Sequence, residues 1–484
     1  MSSRTSGTIG AFWSAISNVT TNALTFAVTT VLARLLSPQD FGIVGIATVF
    51  TAFAQIFLSD TVSEALAQRK TLEPEHIGAA FWSMALLGLV GTTLGIMIAP
   101  LAGRIYGEPA LAPILQGLSF RLVMDALMTV PIGLLMRKLD FRALALRSAL
   151  ANILGGAAGI SIAAGGGGAW ALVVQQLVNA AVTLAVLFYY ADWRPSLSFS
   201  PRHLKDLAGY SFHVAAFRVW GFITGTLDRV LIAGTMDPRT LGFYSLASRT
   251  SQVSAVMIGG SVGSVALPLF AGQQDDPKRL SASLMRAADL MTIIGFPAFI
   301  GFSVVSPELV PVVFGAKWAE AVPILQVMVL DGALGSLTVI QAAAIRACGR
   351  SDWWSWVMLA RAIVTICGFV IASQIGVVAV AACGVISAFV VLPVQLWMLR
   401  RLLRLDLWAY MARWLPPLVG SGLMTAAILL VRGMSWTAEY PVWVGLIVEI
   451  LVGALTYAAS MAIIAFPRLM QVLQIGLALR RRAS

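Results

Sequence analysis

The sequence predicts an all-α polytopic membrane protein of about 14 transmembrane helices, in two pseudosymmetric six-helix lobes followed by two C-terminal helices. Three observations predict it. Apolar residues make up 58% of the chain and charged residues 11%, far from the balance of a soluble domain. Apolar runs of about 20 residues, the length that crosses a bilayer, follow one another with only short polar breaks. The turn Leu36-Ser37-Pro38-Gln39-Asp40-Phe41-Gly42 recurs 200 residues later as Met236-Asp237-Pro238-Arg239-Thr240-Leu241-Gly242.

In chain order the expected spans are 10–35, 41–66, 77–103, 110–135, 145–163, 169–190, 207–235, 240–270, 281–306, 318–346, 354–374, 376–399, 410–431 and 440–466. The first follows a polar start, Met1–Ile9. It is longer than a signal-peptide core and lacks a clear cleavage site, so it reads as a span. Short breaks at Ser37–Asp40, Gly165–Gly168 and Asp237–Arg239 fall on one side. The longest polar connection, Ala191–Asp206, carries Pro195 and Pro201 and falls on the other.

The net charge of +11 could suggest nucleic acid, but the basic residues sit in the breaks and form no contiguous patch, so no nucleic acid is expected. One side collects 20 Lys and Arg and the other 5, which by the positive-inside rule places both termini in the cytoplasm. Tryptophans near span ends, Trp353, Trp354, Trp408, Trp414 and Trp443, read as an interfacial belt. His76, His203 and His213 read as interfacial too. Cys348, Cys367 and Cys383 have neither a disulfide framework nor zinc spacing.

The duplication runs past the first turn. Tyr106-Gly107 matches Phe314-Gly315, Pro113-Ile114-Leu115-Gln116 recurs as Pro323-Ile324-Leu325-Gln326, and Arg137 matches Arg346. A slowly drifting offset in collinear order is the mark of a duplicated six-helix unit. Six is even, so both copies share one orientation and the pseudo-two-fold axis lies along the membrane normal. The expected division is 1–190 for the first lobe, 191–206 for a cytoplasmic linker, 207–405 for the second lobe, and 406–484 for the last two helices and a basic tail.

Charges inside apolar spans mark candidate sites, because hydrocarbon does not hold them without partners, water or ligand. Arg121 and Asp125 share one face of span 4. Arg121 aligns with Asp331 in the second copy, so a cation and an anion would face one cavity from equivalent positions. Arg218 and Arg229, eleven residues apart, return to one helical stripe, and Arg249 lies deep in span 8. Arginine binds phosphate or carboxylate with two parallel hydrogen bonds and stays charged, so these four arginines are the candidate anion-binding residues. Asp60, Glu64, Asp125, Asp228 and Asp331 are the candidate sites for a coupling proton or sodium ion. The competing reading for all nine is helix-to-helix pairing, and Glu449 in span 14 reads as such a contact. No Walker A motif, metal-ligand cluster or nucleophile elbow is present, so no enzyme, cofactor or metal is expected.

Leu35-Leu36-Ser37-Pro38-Gln39-Asp40-Phe41-Gly42, then Leu227-Asp228-Arg229-Val230-Leu231-Ile232 running into Leu241-Gly242-Phe243-Tyr244-Ser245-Leu246-Ala247, resemble the polysaccharide transporter family. Val313-Phe314-Gly315-Ala316-Lys317-Trp318 followed by Ala321-Val322-Pro323-Ile324-Leu325 is similar to its colanic-acid-exporter-like branch. These are Wzx-type lipid-linked oligosaccharide flippases of the larger MATE-like superfamily. The resemblance implies a two-lobed transporter of the bacterial inner membrane that moves an undecaprenyl-pyrophosphate-linked sugar repeat between leaflets by alternating access. Its expected partners are that glycan, membrane lipid, a proton or sodium ion, and the polymerase and glycosyltransferases of a polysaccharide pathway. A MATE-type cation antiporter would need an acid-lined cavity, a polymerase a large periplasmic loop, and an acyltransferase an intramembrane histidine. A lipid II flippase stays open as an alternative.

Overall fold

A computed structural model describes residues 21–58, 74–138, 141–195, 225–434 and 440–468, with Ser63, Leu66, Phe222 and Met470 besides. The described residues are helical, with no strand among them. In order they form α1 (21–35), α2 (Pro38–Leu58), α3 (Pro74–Ile105), α4 (Leu111–Arg137), α5 (Phe141–Ala164), α6 (Trp170–Tyr190), α7 (225–235), α8 (Pro238–Ala271), α9 (Pro277–Phe314), a 3-10 turn (Ala316–Ala321), α10 (Val322–Ala347), α11 (Ser351–Ala372), α12 (Val377–Leu403), α13 (Leu407–Met411), α14 (Leu415–Arg432) and α15 (Val442–Ile464). Eleven described helical segments are long and apolar enough to cross a membrane, and the chain is an integral membrane protein. Spans 1, 2 and 7 of the expected fourteen run partly outside the described residues, and span 8 falls on α8.

The chain divides into two compact units, Met1–Ser245 and Leu246–Ser484. In the first, α3 packs on α4, α5 on α6, and α4 on both α2 and α6. In the second, α9 packs on α10, α11 on α12, and α10 on α12, while α14 and α15 pack on each other and on α9. Helices α3 to α6 and α9 to α12 therefore repeat one pattern of neighbours. In the first unit, small residues permit close approach: Gly155 and Gly159 of α5 face Asn179 and Gln175 of α6.

The repeated turn is repeated in structure. Residues 31–40 and 231–240 follow the same course, a helix end, a two-residue break and a new helix opening on proline. Proline suits that first helical position, where its missing N–H costs nothing. The Ser37 backbone N–H and hydroxyl donate to Asp40 at 2.9 and 2.6 Å, and the Asp40 N–H donates back to the Ser37 hydroxyl at 3.2 Å. In the second copy the roles are exchanged: Thr240 donates from its N–H at 3.2 Å and its hydroxyl at 2.5 Å to Asp237. Both are helix caps closed between the cap residue and the third helical residue. Further on, Gly107 and Gly315 both take positive φ, +65° and +103°, where helices α3 and α9 stop.

Two ion pairs fasten α14 to α9. Arg413 pairs with Asp289 near one end, and Arg432 donates to Glu308 at 2.6 Å near the other. The carboxylates are 19 residues apart on α9, and so are the arginines, Arg413 in the turn just before α14 and Arg432 at its last residue. At 1.5 Å per residue that is about 28 Å, close to the thickness of a bilayer's hydrocarbon layer. Arg432 also holds Glu449 of α15 at 2.8 Å, making Glu449 the helix contact expected of it. Trp414 is 8% exposed with its ring edge-on to Tyr410, and His76 is 6% exposed. All three cysteines are free.

Candidate polar cavity in the membrane

Within the first unit, α4, α5 and α6, with Thr21 of α1, border an open polar cavity of about 220 Å³. Arg121 and Asp125 of α4, Arg147, Ser148 and Asn152 of α5, and Asn179 and Thr183 of α6 line it. Arg121 lies ten residues into α4, roughly 15 Å along the axis, so the cavity sits near mid-membrane. Helical spacing sets the pair: Arg121 Nε approaches Asp125 Oδ2 at 3.3 Å. That approach is electrostatic, since Nε makes no aligned hydrogen bond. Instead Arg121 donates from Nη1 to Gln176 Oε1 at 2.8 Å, and Gln55 of α2 donates to Asp125 Oδ2 at 2.7 Å. Asn152 accepts from Thr25 of α1 at 3.2 Å. Side-chain exposures of 34% for Arg121 and 20% for Asp125 leave both open to the cavity. The pair fixes the arginine's position and leaves it reachable by an anion.

On the other face of α4 lies an apolar groove of about 320 Å³, bounded by Phe50 and Phe53 of α2, Leu87, Leu94 and Ile98 of α3, and Leu122 of α4. The first unit thus presents a charged cavity and a hydrocarbon-like groove on one helix.

The second-copy charges around the repeated turn form their own arrangement. Asp228 accepts from the Tyr244 hydroxyl at 2.5 Å and from the Arg229 N–H at 2.8 Å. Arg229 Nε is buried and has no hydrogen-bond partner among the described residues. Arg249 stands exposed on α8, eleven residues beyond Pro238. Asp331 of α10 accepts from Arg361 Nη2 at 2.9 and 3.1 Å, while Arg361 also reaches Ser387 and the Gly384 carbonyl, both at 3.4 Å, tying α10, α11 and α12 together. Asp331 and Arg121 are thus each held within their own unit. Asp60, Glu64 and Arg218 lie outside the described residues.

Charge alone missed Gln55, Gln176, Asn152 and Asn179, the neutral groups that complete the cavity, and Tyr244. Their signal is present in the sequence: amides in otherwise apolar spans, with Gln176 and Asn179 three residues apart on one face. Arg361 and Arg147 carry the same signal, a charge within an otherwise apolar segment.

A family model described as "Polysaccharide biosynthesis protein" matches residues 31–323. The chain is 27% identical over 354 residues to the succinoglycan biosynthesis transport protein ExoT of Rhizobium meliloti, spanning 73% of this chain and 72% of that one. It is 28% identical over 344 residues to the lipopolysaccharide biosynthesis protein WzxC of Escherichia coli, spanning 70% and 69%. It is 25% identical over 465 residues to the teichuronic acid biosynthesis protein TuaB of Bacillus subtilis, spanning 93% of each. The solved structure of the lipid II flippase MurJ in its inward closed conformation aligns with a TM-score of 0.77 at 15% identity, covering 94% of this chain and 98% of that one. An inward-facing MATE-family multidrug resistance transporter aligns with a TM-score of 0.62 at 17% identity, covering 79% and 94%. The chain shares the fold of these two transporters.

Proposed function

The chain belongs to the polysaccharide biosynthesis protein family, and from that premise we propose that it is a flippase for a lipid-linked oligosaccharide repeat unit. The observation that carries the reading is the polar cavity near mid-membrane, where Arg121 and Arg147 stand with one carboxylate, Asp125. Two arginines against one acid suit a substrate bearing phosphate or acidic sugars, and suit an organic cation poorly. The apolar groove beside it matches a polyprenyl tail.

In this reading the lobes are 1–190 and 207–405, joined by the linker 191–206, with 406–484 as an appendage. They alternate access to the diphosphate and sugars while the tail stays in hydrocarbon. Arg121, Arg218, Arg229 and Arg249 bind the anionic head. Asp125, Asp228 and Asp331, with Asp60 and Glu64, are the candidates for coupling a proton or sodium ion. The protein transports and performs no covalent step, it lies in the bacterial inner membrane, and both termini are cytoplasmic, as the distribution of 20 basic residues against 5 favours. Its pathway neighbours are glycosyltransferases and a polysaccharide polymerase.

Deletion of the gene in its native host, without a redundant transporter, tests this. The expected result is loss of polymer with lipid-linked repeat units left facing the cytoplasm. Unchanged polymer export would defeat the reading.

A further inference from the structure

We propose that the cleft where α12 meets α13 binds the phosphate headgroup of an anionic phospholipid. The cleft has a volume of about 610 Å³ and is lined by Arg400, Arg404, Leu405, Asp406, Leu407 and Trp408. Arg400 and Arg404 both line the cleft, so two like charges face one space, an arrangement that repels unless an anion lies between them. Among the described residues neither has an acidic partner. Their neighbours do have partners: Arg350 is held by Asp352 at 2.9 and 2.7 Å, and Arg401 lies over the rings of Trp353 and Trp397. The Asp406 carboxylate also lines the cleft, its Oδ1 accepting from the N–H groups of Trp408 and Ala409 at 3.0 and 3.3 Å.

Backbone strain supports the site independently. Arg404 adopts φ +51° and ψ +35°, the left-handed region where a glycine would sit without cost. A residue that keeps a long cationic side chain there points to a use for that side chain. Location decides the kind of anion. The cleft ends a 27-residue apolar helix on the arginine-rich side, and Trp408 beside it is 80% exposed. A tryptophan so placed lies at the headgroup level, where lipid phosphates are concentrated and each nearby arginine strengthens anionic-lipid binding.

The test uses the full-length protein in detergent and counts bound lipid by native mass spectrometry, with phosphatidylglycerol, phosphatidylcholine and soluble glycerol 3-phosphate as probes. Phosphatidylglycerol is expected to be retained about tenfold over phosphatidylcholine, and Arg400→Gln with Arg404→Gln to remove that preference. Arg404→Gly relieves the strained backbone, so it should fold at least as stably as the parent while weakening the preference. Arg350→Gln should leave the preference intact. The proposal is overturned if the double variant keeps the preference, if Arg350→Gln removes it equally, or if glycerol 3-phosphate displaces the lipid at equal concentration.

Discussion

Gly42 and Gly242, two hundred residues apart at one point of the repeated turn, pack against each other's helix reciprocally. A Cβ on Gly42 would strike the carbonyl of Pro238, and a Cβ on Gly242 would strike the carbonyl of Pro38. The duplicated turns therefore meet in a near-symmetric contact of bare backbone. Each copy supplies both the knob and the gap.

From this contact, Gly42→Ala and Gly242→Ala should each destabilise the protein by roughly 1–3 kcal/mol through overpacking. Because both substitutions open the same crossing, the double variant should cost less than the sum. Thermal unfolding in detergent reads this out, and additive losses would show that the two sites are independent.

Arg121→Ala should abolish export, as should Arg147→Ala, with the protein still inserted at normal abundance. Asp125→Asn keeps the hydrogen bond from Gln55 but removes the charge facing Arg121. If Asp125 only positions the arginine, the variant should keep most export; if it couples an ion, export should lose its dependence on the ion gradient. Transport by inverted vesicles under imposed proton or sodium gradients separates the two outcomes.

Asp228 and Tyr244 occur together in the second copy, and at the same offset the first copy has Val28 and Val44. Tyr244→Phe should cost about 1–3 kcal/mol, since it leaves a carboxylate oxygen without its donor. A double change of both residues to valine should be milder in stability than the single change and still fail in export. Arg249→Ala should fail in export without loss of stability. Full export from it would return Arg249 to a structural role.

Arg432 bridges Glu308 and Glu449, the latter's side chain only 3% exposed. Arg432→Ala would leave two carboxylates facing each other without their cation, a loss of roughly 3 kcal/mol. Release of α14 and α15 from α9 should follow, visible as protease access to the connection before α14. Arg413→Ala should loosen the other end of the same helix pair.

Gly91 borders the apolar groove, and a Cβ there meets only Leu122 and Leu58 at ordinary contact distances of 3.6 and 3.9 Å. Gly91→Phe should therefore fold, fill the groove and slow transport of a long-chain substrate more than that of a short-chain analogue. Equal slowing of both would exclude the groove as a tail site.

Much of this was legible in the chain. Hydropathy marked where the described helices lie, because hydrocarbon length and backbone satisfaction allow little else. The turn at Pro38 and Pro238 announced the duplication, since a cap and a proline at the first helical position are local devices. The intramembrane charges announced themselves by their cost. Their partners did not, because an ion pair between helices is a relation across space: Asp331 belongs with Arg361, 30 residues on, and Arg432 with Glu308, 124 residues back.

By itself the sequence determined the membrane-spanning class, the order of helices, the repeated turn and the residues that must answer for buried charge, all of which follow from local composition and period. Tertiary structure alone decided that Arg121 is steered by Asp125, Gln176 and Gln55 into one cavity, that α14 is pinned to α9 at both ends, and that Gly42 meets Gly242. Those outcomes depend on which helix faces turn toward each other, and packing between distant segments sets that.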